Sequence, residues 1–220
     1  MFKTSLKNNE LADYVAKQVN TSFPDREIDS KDLLPSVSKA LERTEHCFSH
    51  VNNKYFFDGK SCTFNHLHSD QYAMFLYYLA NMIWKEQENS ELASKVYYLN
   101  KSLHGLDAFY EVNLPDIFLL VHPLGAVLGR AEYSDYFVAY QRVTVGGDKD
   151  LNYPTLQEGL AMYAGSALIG NCKVGKNCLI SAGTTVLNAD IPPDMVVFGK
   201  NPEVSSKKTS KSVIERYFIA

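Results

Sequence analysis

The chain has 220 residues, of which 45% are apolar and 21% charged, a composition typical of a globular protein and unlike that of a disordered or fibrous chain. Its net charge of −3 argues against a nucleic-acid-binding protein that relies on bulk positive charge. The longest apolar run, residues 72–84, is too short to cross a bilayer, and the first ten residues contain no apolar signal core. We therefore expect a cytoplasmic protein with one or two domains and reduced cysteines.

The apolar spacing over residues 1–102 predicts a helical domain. In the predicted helix over residues 72–84, apolar residues occur on almost every side, so we expect that helix to be buried. Residues 51–68, rich in asparagine, glycine and aromatic residues, predict a loop or a short hairpin. Helix starts are expected at Asp29 or Ser30, at Ser69 and at Ser90.

A second pattern, with a period of six residues, follows residue 114. Neither a helix nor a plain strand has this period, whereas a parallel β-helix needs one inward apolar residue and one tight turn per hexad. The predicted inward residues are Leu156, Met162, Leu168, Val174, Ile180 and Val186, with a weaker upstream series of Val127, Tyr133, Ala139 and Val145. The predicted turn residues are Gly159, Gly165, Asn171, Asn177 and Gly183.

The hexads divide the chain into three parts. We place a β-helix domain over residues 103–202, after the helical domain, so the predicted fold class is α+β. The frame breaks between Gly147 and Pro154, which predicts an extruded loop. The tail, residues 203–220, either packs back onto the β-helix or stays mobile.

Several motifs in the second half resemble those of the left-handed β-helix, or hexapeptide-repeat, acyltransferases, and within them the serine acetyltransferase group. A His-x-x-Gly motif at 122–125 precedes a Val-Thr-Val-Gly-Gly run at 143–147 and the extruded loop. Further matching segments are 165–170, 174–175, 181–183, 192–193 and 199–202. The resemblance implies a left-handed β-helix, acetyl-CoA as co-substrate, no metal, and a homotrimer or dimer of trimers with active sites between subunits.

In that group, the histidine of the His-x-x-Gly motif is a general base paired with an aspartate one coil earlier. The resemblance gives these roles to His122 and to Asp107, fifteen residues before it. A neutral imidazole can take the proton of a hydroxyl that attacks a thioester, and a carboxylate can fix its tautomer. Asp116 is a competing candidate, because the residues after Asp107 differ from the usual family pattern.

The resemblance also implies a binding surface for coenzyme A. Small residues on flat coils would let the pantetheine arm lie along the solenoid, although solenoid corners need small residues in any case. The candidate residues are Gly146 and Gly147 near an oxyanion donor, Gly165, Ala182 and Gly183 along the arm, and Gly199 and Lys200 near the adenine and phosphates. Tail residues Lys207, Lys208, Lys211 and Arg216 predict a solvated surface more readily than a phosphate site.

The acceptor motif departs from the family pattern. The usual Arg-His before the loop proline is replaced by Asn152 and Tyr153, the aspartate before the histidine by Val121, and a later glutamate by Arg130. An amino acid needs charged partners in a half-buried site. We therefore predict that Asn152, Tyr153 and Arg130 bind a sugar or polysaccharide hydroxyl. The alternatives are a serine O-acetyltransferase of cysteine biosynthesis and a non-catalytic scaffold.

The remaining cysteines and histidines indicate packing rather than metal chemistry. Cys172 and Cys178 lie six residues apart and should stack on successive sides of the coil. Four histidines have metal-like spacing but lack acidic or thiolate partners at fixed positions, so we expect surface or loop roles for them. They are His46, His50, His66 and His68.

Overall fold

The computed structural model describes residues 1–219, and its first half is built from four helices. Aspartate at position 29 caps the second helix, accepting a hydrogen bond from the Lys31 backbone N–H at 2.9 Å. The helix expected from Ser69 has His68 as its N-cap residue. The helices are α1 (Asn8–Ser22), α2 (Ser30–Ser49), α3 (Ser69–Gln87) and α4 (Ser90–His104).

Helix α3 forms the centre of the helical region, as its apolar pattern predicts. Every residue from 70 to 83 is buried. Asn81, the polar residue within this stretch, donates to the Tyr110 carbonyl at 2.7 Å and accepts from the Arg43 guanidinium at 2.8 Å. A buried amide with both partners present does not destabilise the core.

Residues 51–68 contain a short hairpin. Strand β2 (Cys62–Phe64) forms an antiparallel bridge through Cys62 to Phe57 and pairs in parallel with β1 (Phe2–Thr4) at the start of the chain. The hairpin thereby ties the first residues to the helical region.

The second half is a parallel β-solenoid with three faces. Residues one coil apart pair in parallel along each face. The first face contains β3 (Phe118–Val121), β6 (Phe137–Tyr140), β9 (Leu160–Met162), β12 (Cys178–Ile180) and β14 (Met195–Lys200). The second contains β4 (Val127–Leu128), β7 (Thr144–Gly146), β10 (Ala167–Ile169) and β13 (Thr185–Leu187). The third contains β5 (Glu132–Tyr133), β8 (Thr155–Leu156) and β11 (Lys173–Val174).

The hexad pattern predicts the solenoid interior well from residue 156 onward. All six predicted inward residues are at most 2% exposed. Four of the five predicted turn residues have positive φ; the exception is Asn171, where Gly170 makes the turn one residue earlier. Upstream, the inward placement of Val127 is wrong: Val127 is 40% exposed and Leu128 points inward instead.

The error at Val127 has a physical cause. Val121 pairs with Tyr140, and Val127 pairs with Thr144. The corner between the first and second faces therefore has five residues on this coil, 122–126, and three on the next, 141–143. These two additional residues precede Val127, and the hexad frame slips just after it. Five residues separate the inward Leu128 from Tyr133, whereas six separate the equivalent residues Leu168 and Val174, so a frame counted back from Tyr133 falls on Val127.

The tail packs back onto the molecule. Strand β15 (Glu203–Lys208) pairs antiparallel with β14, and α5 (Val213–Tyr217) follows it. Phe218 is buried, and the backbone N–H of Ile219 donates to the His50 carbonyl on the helical region at 2.7 Å. Of the two expectations for the tail, packing is the one observed over the described residues.

None of the helices within residues 1–219 combines the length and apolar character needed to span a bilayer.

Candidate active site

His122 stands on the longest of the corners between the first and second faces, which we call the first corner of each coil. Its imidazole is 79% exposed, and its backbone has a φ of +49°. For a residue with a side chain, this left-handed conformation costs about 1–2 kcal/mol, and such strain often accompanies functional sites. The additional corner residues thus hold an accessible histidine away from the coil.

A carboxylate from the helical region faces this histidine. Asp70, in the first turn of α3, accepts a hydrogen bond from the His122 backbone N–H at 3.1 Å. Its Oδ2 atom also lies 3.6 Å from His122 Nδ1. Both residues line a pocket of about 240 Å³ together with His104, Leu103 and Leu124. Burial lowers the pKa of His104, and the nearby Asp70 opposes that shift.

Asp107, the predicted partner of His122, is engaged by α4. Its carboxylate accepts from the Tyr97 hydroxyl and from the Lys101 ammonium, each at 2.6 Å. Burial raises the pKa of Asp107, but these two hydrogen bonds outweigh burial and bring it below its usual value. No hydrogen bond or ion pair joins Asp107 to His122 within residues 1–219. The catalytic role of Asp107 stays a prediction.

Small residues continue the column of first corners beyond His122. Gly165 donates to the Gln141 carbonyl on the preceding coil at 2.9 Å, and Gly183 donates to Ala164 at 2.9 Å. A Cβ atom added to Gly165 or Gly183 would meet no atom within 4 Å. Ala182 lies beside Gly183 and is exposed. The predicted binding residues Gly165, Ala182 and Gly183 therefore share one open track, the small-residue track, which is separated from His122 by the single corner that carries Arg142.

The other predicted coenzyme-binding residues are divided between two places. Lys200 pairs with Thr185 on the second face and is exposed, as is Gly199, so both lie towards the far end of the track. Gly146 ends β7, and Gly147 begins the extruded loop at the corner between the second and third faces. The latter two therefore lie at a different corner from His122.

The predicted acceptor residues do not meet His122 within the chain. Asn152 belongs to the extruded loop, where its side-chain amide donates to Asp148 at 3.0 and 3.2 Å. Tyr153 packs on Gly147, where an added Cβ would lie 2.8 Å from the ring. Arg130 is exposed and lies 3.7 Å from Glu111. None of these three residues lines the pocket of His122.

The competing aspartate and the remaining polar residues have other surroundings. Asp116 lies 3.7 Å from Arg43 and lines a separate cleft.

All four cysteines are buried and free, and burial raises the pKa of Cys47 to about 11 and that of Cys62 to about 12. The His66 ring forms a hydrogen bond with the Ser5 hydroxyl, His68 caps α3, and the rings of His46 and His50 lie 4.9 Å apart at a tilt of 58°. Over the described residues, no three metal-binding side chains form a potential metal site.

Two residues at this site escaped the sequence analysis. Asp70 directly follows the helix start expected at Ser69, where an acidic residue is common, so the sequence does not mark it as part of a site. Arg142 occupies a first corner with a φ of +56°, and its backbone N–H donates to the Leu124 carbonyl at 3.0 Å. An arginine within the Gln141–Val143 corner could have been noted from the hexad frame.

Comparison with curated sequences finds serine acetyltransferases. The chain is 34% identical over 106 residues to the serine acetyltransferase of Synechococcus elongatus, covering 46% of this chain and 43% of the relative. It is 26% identical over 132 residues to a putative serine acetyltransferase of Schizosaccharomyces pombe, covering 58% and 48%. The chain thus spans a little under half the length of these relatives. No protein-family profile matches it.

Comparison with solved structures extends the similarity to the helical region. The serine acetyltransferase of Neisseria gonorrhoeae superposes with a TM-score of 0.70 at 18% identity, covering 94% of this chain and 85% of that one. The Brucella abortus enzyme in complex with coenzyme A gives 0.68 at 18% identity, covering 94% and 84%. The chain therefore has the fold of the left-handed β-helix acyltransferases and resembles the serine acetyltransferases in both sequence and structure.

Proposed function

We propose that the protein is an acetyl-CoA-dependent O-acetyltransferase with His122 as its general base. The observation that carries the proposal is the exposed imidazole on a lengthened corner, in the same column of corners as the small-residue track. The neutral imidazole takes the proton of the acceptor hydroxyl while the hydroxyl oxygen attacks the thioester carbonyl. When the tetrahedral intermediate collapses, the C–S bond breaks and the imidazolium returns the proton to the thiolate. The thioester is already activated, so no covalent acyl-enzyme is needed.

The small-residue track suits the pantetheine arm of acetyl-CoA. An extended, flexible chain needs a shallow surface without protruding side chains, which Gly165, Ala182 and Gly183 supply. The exposed ammonium of Lys200 lies on the second face towards the end of the solenoid, where it would pair with phosphates. Acetyl-CoA is thus the co-substrate, and the similarity to a coenzyme A-bound structure supports this assignment.

L-serine is the better-supported acceptor, ahead of the sugar predicted from the extruded loop. The relatives bear the name serine acetyltransferase, and one structural neighbour was solved in complex with serine, with a TM-score of 0.64 at 18% identity. The Asn152 amide, on which the sugar prediction partly rests, is bound to Asp148 inside the loop. Its hydrogen-bonding capacity is therefore directed into the loop.

A serine acceptor requires a cation for its carboxylate, and Arg142 fits this role. It lies on the first corner one coil beyond His122 and is exposed. Its guanidinium makes no hydrogen bond or ion pair with any residue from 1 to 219. Arginine binds a carboxylate through two parallel hydrogen bonds, which gives both affinity and orientation. Arg142 therefore supplies the positive charge that the usual loop arginine would provide and that Asn152 lacks.

The predicted assembly is a homotrimer or a dimer of trimers. The extruded loop and His122 lie at different corners of one chain, so the loop residues reach a histidine only from a neighbouring copy. This arrangement agrees with the active sites between subunits that the family resemblance implies. Cytoplasmic localisation stays a prediction.

Release of coenzyme A thiol from acetyl-CoA tests the proposal. We expect turnover with L-serine and little with a panel of monosaccharides and oligosaccharides. His122→Ala should lower turnover by about 10²- to 10⁴-fold through loss of a general base. Arg142→Gln should raise the KM for serine while leaving the KM for acetyl-CoA unchanged.

Each alternative has its own outcome in this assay. Turnover with a glycan alone would restore the sugar hypothesis, with roles for Asn152, Tyr153 and Arg130. A wild-type protein that is folded but inactive with every acceptor would support a non-catalytic scaffold.

A further inference from the structure

A carboxylate of the helical region is buried against the corner that carries His122. Asp70 belongs to the first turn of α3, and its side chain is only 10% exposed. Carboxylates are rarely so buried without a partner, because ionised groups lose their hydration on burial. Its hydrogen-bond donors within residues 1–219 are the Ser69 hydroxyl at 3.3 Å and the His122 backbone N–H at 3.1 Å. Asp70 thus connects the helical region to the catalytic corner.

The same carboxylate oxygen faces the ring of His122. Oδ2 lies 3.6 Å from Nδ1, longer than a hydrogen bond but close enough for one to form by a small rotation of the exposed imidazole. A Nδ1–H bond to Asp70 would leave Nε2 as the unprotonated, solvent-facing nitrogen. That is the tautomer required of a base directed at a hydroxyl.

We propose that Asp70 is the positioning residue of His122: it anchors the lengthened corner through the backbone and fixes the imidazole tautomer through its carboxylate. This inference rests on the proposed function, because a positioning residue has meaning only if His122 is the base. The helical region, in this view, completes the catalytic machinery of the solenoid and does more than mediate assembly.

The charge on Asp70 supports a role beyond structure. A neutral acceptor, such as an asparagine amide oxygen, would satisfy the His122 backbone N–H without the free energy cost of burying an ion. A negative charge here interacts favourably with the positive end of the α3 dipole, as the charge of any first-turn carboxylate does. It gives a further benefit when the imidazole becomes positively charged, as it does after taking the acceptor proton. The carboxylate of Asp107 is already held by Tyr97 and Lys101.

Asp70→Asn separates the two roles, because asparagine keeps an acceptor for the backbone N–H but loses the charge. We expect kcat with serine to fall by about 10- to 100-fold, as for one partly solvated charge at this separation. Because the charge acts on the imidazolium formed during the reaction, the loss should appear in kcat and not in the KM for serine. The other titratable group in this pocket is His104 on α4.

Two matched variants serve as controls. Asp29→Asn removes a carboxylate at the start of another helix, where asparagine caps equally well, and should leave kinetics and melting temperature unchanged. Asp107→Asn tests the family's expected partner. A larger kcat loss in Asp107→Asn than in Asp70→Asn would overturn the inference. A melting curve of Asp70→Asn close to the wild-type curve would show that its effect is not due to unfolding.

The remaining outcomes distinguish the inference from the proposed function. If the wild type turns over, His122→Ala is inactive and Asp70→Asn has unchanged kinetics, Asp70 plays no positioning role and the proposed function stands. If Asp70→Asn raises only the KM for serine, Asp70 binds the acceptor and the inference fails. If the wild type is inactive with every acceptor, the proposed function itself fails. Should Asp70→Asn not fold, Asp70→Ser provides the same loss of charge for the measurement of kcat and KM.

Discussion

At the scale of one residue, Gly165 leaves a solenoid corner open for the proposed coenzyme surface. Its φ of +68° favours glycine, yet a Cβ placed there would point into open space. The surrounding atoms would therefore leave room for a side chain at this position, and only the backbone conformation favours glycine. An open surface with no side chain, on the column of His122, is what an extended coenzyme arm needs.

Gly165→Leu should weaken acetyl-CoA binding. The side chain would stand in the small-residue track, and we expect the KM for acetyl-CoA to rise by about tenfold, equivalent to about 1.4 kcal/mol. The left-handed backbone adds a stability cost of about 1–2 kcal/mol. Gly59→Leu is the matched control, because Gly59 has a φ of +87° and equally open surroundings in the helical region. Thermal melting should show a similar loss of stability in both variants. Steady-state kinetics should show a higher KM for acetyl-CoA only in Gly165→Leu. An unchanged KM for acetyl-CoA in both variants would argue against the track.

The C-terminal segment illustrates cooperation between elements. Three tyrosine hydroxyls meet where α5 crosses the solenoid: Tyr217 lies 2.7 Å from Tyr163 and 3.3 Å from Tyr140. Burial and the neighbouring tyrosines raise the pKa of Tyr217 well above its usual value. Beyond α5, Phe218 forms an antiparallel bridge with Val51 of the helical region. The segment therefore joins the two halves of the chain.

Phe218→Ala should destabilise the protein strongly. The ring is 2% exposed and packs edge-on against Tyr136 at 5.3 Å. Truncating a buried phenylalanine costs about 3–5 kcal/mol, because a cavity replaces its contacts. Ile219→Ala, at a neighbouring residue that is 41% exposed, should cost less than about 1 kcal/mol. Urea unfolding of both variants measures the two losses of stability. A loss in Phe218→Ala as small as that in Ile219→Ala would mean that the segment contributes little to the core.

At the scale of the whole molecule, the arrangement of corners separates His122 from the extruded loop within one chain. His122 lies at the first corner, whereas the loop with Asn152 and Tyr153 leaves the solenoid between its second and third faces. A closed ring of copies would bring the loop of one subunit to the histidine of the next. Assembly and activity should therefore be linked.

Mixed oligomers test that linkage. If the loop of one subunit contributes to the site of the next, each of the variants His122→Ala and Tyr153→Ala should have reduced activity alone. After co-refolding, some interfaces combine the intact His122 of one subunit with the intact loop of its neighbour, so activity should partly return. Light scattering on the same samples should give a trimer or hexamer mass. A monomer with full activity, or mixtures no more active than the average of their components, would contradict a shared site.

Periodicity alone determined the architecture of the second half. The six residues from Leu156 to Val186 are buried because one inward side chain per hexad is a local property of each solenoid side, readable without distant contacts. The same holds for α3, whose apolar residues predict its burial, and for His122, whose motif marks it directly. Where the spacing shortens to five residues, between Leu128 and Tyr133, the period of six no longer applies, and the frame falls on Val127 instead of Leu128.

Tertiary structure alone decided which carboxylate faces His122. Asp107 is fifteen residues away and Asp70 is fifty-two, yet it is Asp70 that approaches the ring, because the start of α3 packs against the first corner. A repeat predicts contacts between successive coils but carries no information on how a separate helical region docks on them. The same reasoning applies to the tail: its last aromatic residues are apolar in sequence, but only the folded chain shows that they pack between the two halves.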